Sequence, residues 1–506
     1  MKILFIFPNV NSQLGFHYGI SHLSAVLRQA GHQTELLQLC EEIGPLPTES
    51  EFKAKLNEIS PDVIGFSVVT NQWPYAKKLA FWAREASSAK VICGGIHTLA
   101  AGDEILRSGA FDYIIRGEAE NAFLEFIERM ARGEDLSQTK NLGWMEDGKI
   151  RINPVGPLPE LTKLPFKDYE IFDFQKIIDA KNGWVGLMAS RGCPFSCTYC
   201  FNHQMVKQYR AVLQCSFKAL NYIRHFEVKQ IIDEIRYLHS TYRNIKMFIF
   251  DDDLFTFYKE YVIEFCREYK KVSSIPFTVN AHVGAFDEDR AKHLTNTNCR
   301  IVKFGVESGS ERVRKMVLGR HMKNKQIVSA IRTAKKFGLH TSVFLMIGLP
   351  DETHDDVMAT IQLMGEAQPG RFRWTFFFPF PGTKAYELSE KSKRIDHDKM
   401  FDMENFTDQS CLDFGKEHNL FLKKAGRVMP WFVNACSGLP VADFYRGKVR
   451  EILALGETAW EKESPGLYDA DKRFSEDFVK QGLSHYAIKY NRFMGVISDY
   501  FMKEEG

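Results

Sequence analysis

Short apolar runs alternate with amphipathic stretches along the first 132 residues of the chain. The runs at 2–7, 33–38, 63–68, 90–93 and 113–115 have the length and content of strands. Between them apolar residues recur about every 3.6 positions, as at Ile20, Leu23 and Leu27 or at Leu79 and Trp82, a spacing that predicts helices packed on a sheet. Alternation of this kind implies parallel strands joined by right-handed crossovers, so residues 1–132 read as one doubly wound α/β domain. Ligands of such sheets sit at the carboxyl ends of the strands. Three loops there are polar or glycine-rich: Ser67 to Trp73 (with Asn71 and Gln72), Gly94-Gly95-Ile96-His97 and Gly117-Glu118-Ala119-Glu120.

Residues 133–184 break the pattern. Prolines stand at 154, 157, 159 and 165 without a sustained period, which predicts a proline-rich linker draped over the surface. Strand-like runs resume at 185–189, 247–250, 277–280, 301–304, 341–347 and 372–378. The clearest helix between them is 324–337, where Ile327, Ile331, Ala334 and Phe337 share a face. Six strand–helix units predict an open, partial version of the eightfold α/β barrel over residues 185–384. From about residue 385 the strand signal ends, and 385–506 read as a helical, aromatic-rich C-terminal domain that caps the barrel or holds substrate. The apolar stripe in 487–502 reads as a helix docked on the barrel, with a membrane-surface helix as the alternative.

The chain has 506 residues, 66 basic against 64 acidic, and a formal net charge of +2. That balance argues against an electrostatic nucleic-acid binder. The longest apolar runs reach about eight residues, against the ~20 needed to span a bilayer, so no transmembrane segment is expected. The start, MKILFIFPN, lacks a small-residue cleavage site, and a cytoplasmic location is expected. Seven of the ten cysteines are scattered singly; the other three are Cys193, Cys197 and Cys200.

Those three sit in MASRGCPFSCTYCFN, directly after the first strand of the second alternating region. Three thiolates on a tight loop can hold three irons of a [4Fe–4S] cube. No fourth cysteine lies within ten residues, so the fourth iron is left open for another ligand. A zinc site completed by His203 is the competing reading, weakened by the loop's place at the carboxyl end of a barrel strand. Elsewhere, Gly94-Gly95 permits close approach of a large ligand to the backbone, and Ser67 offers it a hydroxyl. For Asp251 to Asp253 a solvated helix N-cap is the competing reading.

The cysteine loop on the first strand of a six-unit partial barrel resembles the radical S-adenosylmethionine superfamily. The resemblance implies that Cys193, Cys197 and Cys200 ligate the cluster. The open iron would then chelate the amino and carboxylate groups of S-adenosylmethionine, with Tyr199 beside the adenine. One electron from the reduced cluster would yield a 5′-deoxyadenosyl radical, which abstracts hydrogen from an unreactive C–H bond. A low-potential donor such as flavodoxin or ferredoxin would supply that electron. By the same resemblance Asp252 and Asp253 in FDDDLF, Glu307 and Ser308 in KFGVESGS, and Ile347 and Gly348 in FLMIGLPDET would contact S-adenosylmethionine.

A flavodoxin- or Rossmann-like domain, a proline-rich linker and then CPFSCTYC together resemble the cobalamin-dependent subclass of that superfamily. PNV, GFSVVT, GGIHTLA, RGEAE and FPFPGTKAY carry the likeness over roughly residues 1–390. Cobalamin would then lie against Ser67, Asn71, Gln72, Trp73, Gly94, Gly95, His97, Gly117 and Glu118. Asn71, Gln72 and Trp73 would shield the lower cobalt face, unless Trp73 simply packs under the first helix. Many cobalamin proteins carry Asp-x-His-x-x-Gly after the first strand; PNVNSQLGF has no such histidine, a departure the radical subclass shares.

The subclass implies methylation of an unactivated carbon, or a cyclisation, oxidation or ring rearrangement without net methyl transfer. Methylthiolation would need a further cysteine trio in the N-terminal domain, where only Cys40 and Cys93 occur. A non-enzymatic sensor would not need the loops after strands two, four and five. The 41 phenylalanines point to a large apolar small molecule, such as a lipid or tetrapyrrole, or else to core packing.

Overall fold

The structure is a computed structural model that describes residues 1–402 and 409–505. Its first sheet contains β1 (Lys2–Pro8), β2 (Gln33–Leu39), β3 (Val63–Ser67), β4 (Lys90–Gly94), β5 (Tyr113–Ile115), β6 (Leu142–Glu146) and β7 (Lys149–Ile152), in the order β2-β1-β3-β4-β5-β6-β7. The pairs β1–β2, β1–β3, β3–β4 and β4–β5 are parallel. Strand order reverses at β1/β3, the position where a ligand crevice opens in doubly wound sheets. Leu4, Ile6, Ile64, Phe66, Val91 and Ile114 on one face pack against Ala76, Leu79, Ala80 and Ala83 of the helix Trp73–Ala86.

The linker contributes to this sheet. β6 and β7 form an antiparallel hairpin that extends it beyond β5. Asp147 (φ 48°) and Gly148 (φ 73°) make the turn, both in the left-handed region that a two-residue hairpin needs. The rest of the linker docks on the first helix, Tyr18–Gln29: the Ser24 hydroxyl donates to Asp168 Oδ2 at 2.5 Å, and Phe16 stacks on Tyr169 with centroids 4.7 Å apart.

The second sheet contains β8 (Trp184–Leu187), β11 (Met247–Phe250), β12 (Phe277–Ala281), β13 (Cys299–Glu307), β14 (His340–Ile347), β15 (Arg371–Phe376), β16 (Tyr486–Ile488) and β17 (Met494–Ile497); the short β9 (Ser190–Arg191) and β10 (Arg224–His225) pair separately. Its order is β16-β17-β15-β14-β13-β12-β11-β8. The six expected strands are all present, and β12 to β15 run parallel in sequence order. In the helix Asn324–Lys336 the residues Ile327, Ile331 and Ala334 are buried together, as their spacing requires.

The C-terminal region is mainly helical, with Lys416–Arg427, Met429–Ala435, Ala442–Ala454, Glu457–Glu463 and Leu467–Lys480. The 487–502 stripe is not one helix. It is split between β16, β17 and the helix Ser498–Glu505, and the hairpin adds antiparallel to β15. Asn434 bolts the hairpin to the helices, donating to Tyr486 O at 2.8 Å and accepting from Tyr486 N at 2.9 Å. Phe444, Phe474 and Phe478 pack with the buried Tyr445 and Trp431, Phe444 itself being exposed and the other two half-buried.

The chain forms two compact units: residues 1–194, 200–249 and 380–383, and residues 195–199, 250–379 and 384–506. The first unit thus includes the opening strands of the second sheet. No helix among the described residues is long and apolar enough to cross a membrane.

Candidate functional site

In the second unit, the middle of the cysteine loop is pinned by its backbone. Thr198 N donates to Leu318 O at 3.0 Å and Thr198 Oγ1 to Val317 O at 2.6 Å, while Ala385 N donates to Thr198 O at 3.0 Å. Cys197 is buried at this point. Arg320 converges on it: Nη1 lies 3.5 Å from Cys197 Sγ and 3.1 Å from the Tyr199 hydroxyl, and Nη2 donates to Gly305 O at 2.5 Å. The Tyr199 hydroxyl donates in turn to Glu307 Oε1 at 3.2 Å.

Glu307 reaches this position through a register shift in β13, which leaves Val306 as the extra residue and puts Glu307 at φ 68°. Bulges re-aim side chains in this way beside active sites. A Cβ on Gly305 would fall 2.5 Å from Glu307 Oε1, so this approach needs glycine. Burial raises the Glu307 carboxyl above its ordinary range, and Arg320 and Tyr199 pull it part of the way back.

At the next strand end, Gly348 (φ 72°) and Leu349 donate their N–H groups to Glu352 Oε2 at 2.6 and 3.1 Å. Burial pushes the Glu352 carboxyl up to about 8, against those bonds.

In the first unit, the ends of β3 and β4 form a polar cradle. Gly95 sits at φ 87°, and a Cβ there would strike Val68 N and O at 2.6 Å and crowd Ser67 Oγ at 3.2 Å. Ser67 Oγ lies 2.8 Å from His17 Nε2. Gln72 and His97 are buried, and Gln72 Oε1 and His97 Nε2 have no hydrogen-bond partner among the described residues. Buried polar atoms are normally satisfied, so these two mark a place for a polar ligand.

A B12-binding domain model matches residues 12–127, and a model of the radical S-adenosylmethionine superfamily matches residues 187–364. The chain is a cobalamin-dependent radical S-adenosylmethionine enzyme. Its cofactors are a [4Fe–4S] cluster, S-adenosylmethionine and cobalamin. The enzyme is 29% identical over 402 residues to an uncharacterized methyltransferase of Pyrococcus horikoshii, covering 77% of this chain and 83% of the relative. It is 25% identical over 417 residues to the anaerobic magnesium-protoporphyrin IX monomethyl ester cyclase of Rubrivivax gelatinosus, covering 79% and 72%. Its fold is that of the methyltransferase TsrM of Kitasatospora setae, solved with cobalamin and a [4Fe–4S] cluster, at TM-score 0.63, 16% identity and coverage of 77% and 75%.

The expected site residues of this enzyme divide into several groups. Ser67, Gly94, Gly95 and His97 gather at the cradle, with Gln72, while Asn71 is exposed. Trp73 belongs to the domain core instead: its ring lies 5.1 Å from His97 and 6.0 Å from Phe111, and its Nε1 donates to Glu104 at 2.9 Å. Trp73 therefore packs on the helix His97–Arg107 and on Phe111. Gly117 (φ 76°) packs directly on Tyr209. Glu118 is spent on ion pairs, with Arg191 at 2.8 Å and with Arg224, because a carboxylate buried there must be paired.

Tyr199 and Gly348 lie on loops, and Glu307 and Ile347 are the last residues of β13 and β14, but Ser308 turns inward. It is fully buried, accepts from Ser310 N at 3.2 Å and lies 3.4 Å from Thr360 Oγ1. Asp252 is buried and Asp253 exposed; neither caps a helix, since the next one starts at Lys259 with Tyr258 as its cap. Cys193 and Cys200 are half-buried. Among the described residues, no three or more His, Cys, Asp or Glu side chains are grouped to hold a metal ion. The donor chemistry nonetheless fits an iron–sulfur cluster, with three cysteine thiols carried on one loop.

Sequence reasoning missed Arg320, Arg191 and His17. Arg320 lies 123 residues from Cys197 and only the fold brings it near. Arg191 stands two residues before Cys193 and pairs with Glu118 and Glu120, which no local spacing reveals.

Proposed function

We propose that the enzyme methylates an unactivated carbon of a small-molecule substrate. The observation that carries this reading is the pairing, in one chain, of a B12-binding domain with a radical S-adenosylmethionine domain. The likeness to the Pyrococcus methyltransferase supports it. When bound, the cluster supplies the electron that cleaves S-adenosylmethionine, and cobalamin supplies a methyl carrier.

Cys193, Cys197 and Cys200 would hold three irons and leave the fourth to S-adenosylmethionine. Arg320 orients Cys197 and Tyr199 and places a fixed positive charge beside the site. Glu307 and the backbone at Ile347 and Gly348 bind the nucleoside part. Ser67, Gln72, His97 and the Gly94-Gly95 turn receive cobalamin. The electron comes from a low-potential protein donor.

The likeness to the Rubrivivax cyclase favours a second reading, cyclisation or rearrangement without net methyl transfer. Anaerobic turnover with methyl-labelled S-adenosylmethionine and a small-molecule extract separates the two. Methylation gives a labelled product with both 5′-deoxyadenosine and S-adenosylhomocysteine. The alternative gives 5′-deoxyadenosine with no labelled product.

A further inference from the structure

His17 caps the first helix with its side chain: Nδ1 accepts from Ile20 N at 3.1 Å. The ring is enclosed, with Phe7 edge-on at 4.8 Å, and burial lowers its pKa to about 4, so it is neutral at ordinary pH. A neutral imidazole that accepts at Nδ1 carries its hydrogen on Nε2. That Nε2–H is 2.8 Å from Ser67 Oγ and therefore donates to it. With its oxygen accepting from His17, the Ser67 hydroxyl has its own hydrogen left to give, and no acceptor for it stands among the described residues. The hydroxyl is at the carboxyl end of β3, beside Gly95, whose missing side chain lets the Val68 backbone close in, and next to the β1/β3 reversal.

We propose that His17 is a positioning residue that fixes the Ser67 hydroxyl as a hydrogen-bond donor to an acceptor atom of the bound corrinoid. This rests on the assignment of the cradle to cobalamin. The helix cap, the histidine tautomer and the serine form one relay, in which the first backbone turn of the helix sets the direction of a side chain on β3. The acceptor is a nitrogen or oxygen of the nucleotide tail, or an amide oxygen on the corrin ring.

The test titrates the full-length protein and its variants with hydroxocobalamin, and with cobinamide, which lacks the nucleotide tail, following corrin absorption. S67A removes the donor. H17N keeps an excellent helix cap but is too short to reach Ser67. Each should weaken cobalamin binding about three- to tenfold, and the double variant should be no weaker than S67A alone. H17N should leave the melting temperature near that of the parent. A loss confined to cobalamin places the acceptor in the tail, and an equal loss for cobinamide places it on the ring.

Parental affinity in H17N, or additive losses in the double variant, would overturn the relay while leaving the cradle assignment intact. A parent chain that takes up no corrinoid would overturn both. Should H17N fail to fold, ¹⁵N-histidine spectra of the parent and S67A decide. A neutral, Nε2-protonated signal that moves in S67A is expected, and an Nδ1-protonated one contradicts the relay.

Discussion

Arg191 Nη1 lies 2.8 Å from Glu118 Oε2, so the strand that leads into the cysteine loop is tied to the loop after β5 of the B12-binding domain. Glu120 adds a second bond to the same nitrogen at 2.6 Å, and Arg224 takes the other oxygen of Glu118. Burial raises the Glu118 carboxyl, but its two arginines outweigh that and hold it below its usual range. Truncating one partner of such a group leaves buried charge uncompensated. Glu118→Ala should therefore cost about 3 kcal/mol or more in stability, measured by chemical denaturation. An unchanged midpoint would mean that the ion pairs are incidental.

Arg320 reaches Cys197, Tyr199 and Gly305 at once. Arg320→Met should lower 5′-deoxyadenosine formation by about tenfold or more while iron content stays near the parent's, because the cysteines carry the metal. Arg320→Lys should recover only part, since a single ammonium nitrogen cannot stand in for the two separated nitrogens that the guanidinium uses. Full activity in the methionine variant would reduce Arg320 to packing.

Burial pushes the Glu352 carboxyl up to about 8 in the folded protein, against an ordinary value of about 4.5. Between those values the folded state binds more protons than the unfolded one, so stability falls as pH rises from about 4.5 to about 8. Glu352→Gln keeps an acceptor for the Gly348 and Leu349 N–H groups and removes the titration. Its melting temperature should fall less than the parent's across that window. Parallel profiles would show that Glu352 does not titrate there.

Trp73 gives a simple test of its place in the core. Trp73→Phe loses the bond to Glu104 and should cost about 1 kcal/mol, with the spectrum of bound cobalamin unchanged. A changed corrin spectrum would return Trp73 to the cofactor.

Both alternating regions were legible in the chain because burial imposes periods of two and 3.6 on strands and helices. The cysteine trio was legible because its spacing is local. The β6–β7 hairpin was not, since its strands are short and add at a sheet edge, although Asp147-Gly148 between LGWME and KIRI is a recognisable turn signal. Likewise β16 and β17 carry only three and four residues, and the pairing of β17 with β15 joins positions over 100 residues apart. The inward turn of Ser308 and the pairing of Glu118 depend on partners that only the tertiary fold supplies.

The central claim is that this chain carries both a corrinoid and a cluster on Cys193, Cys197 and Cys200. Anaerobic metal analysis and absorption spectra, on the parent and on a variant with all three cysteines changed to alanine, test it directly. The parent should hold about one cobalt and about four irons with a corrin spectrum, and the variant should lose the iron and keep the cobalt. Iron retained without those cysteines, or no cobalt uptake in the parent, would contradict the account.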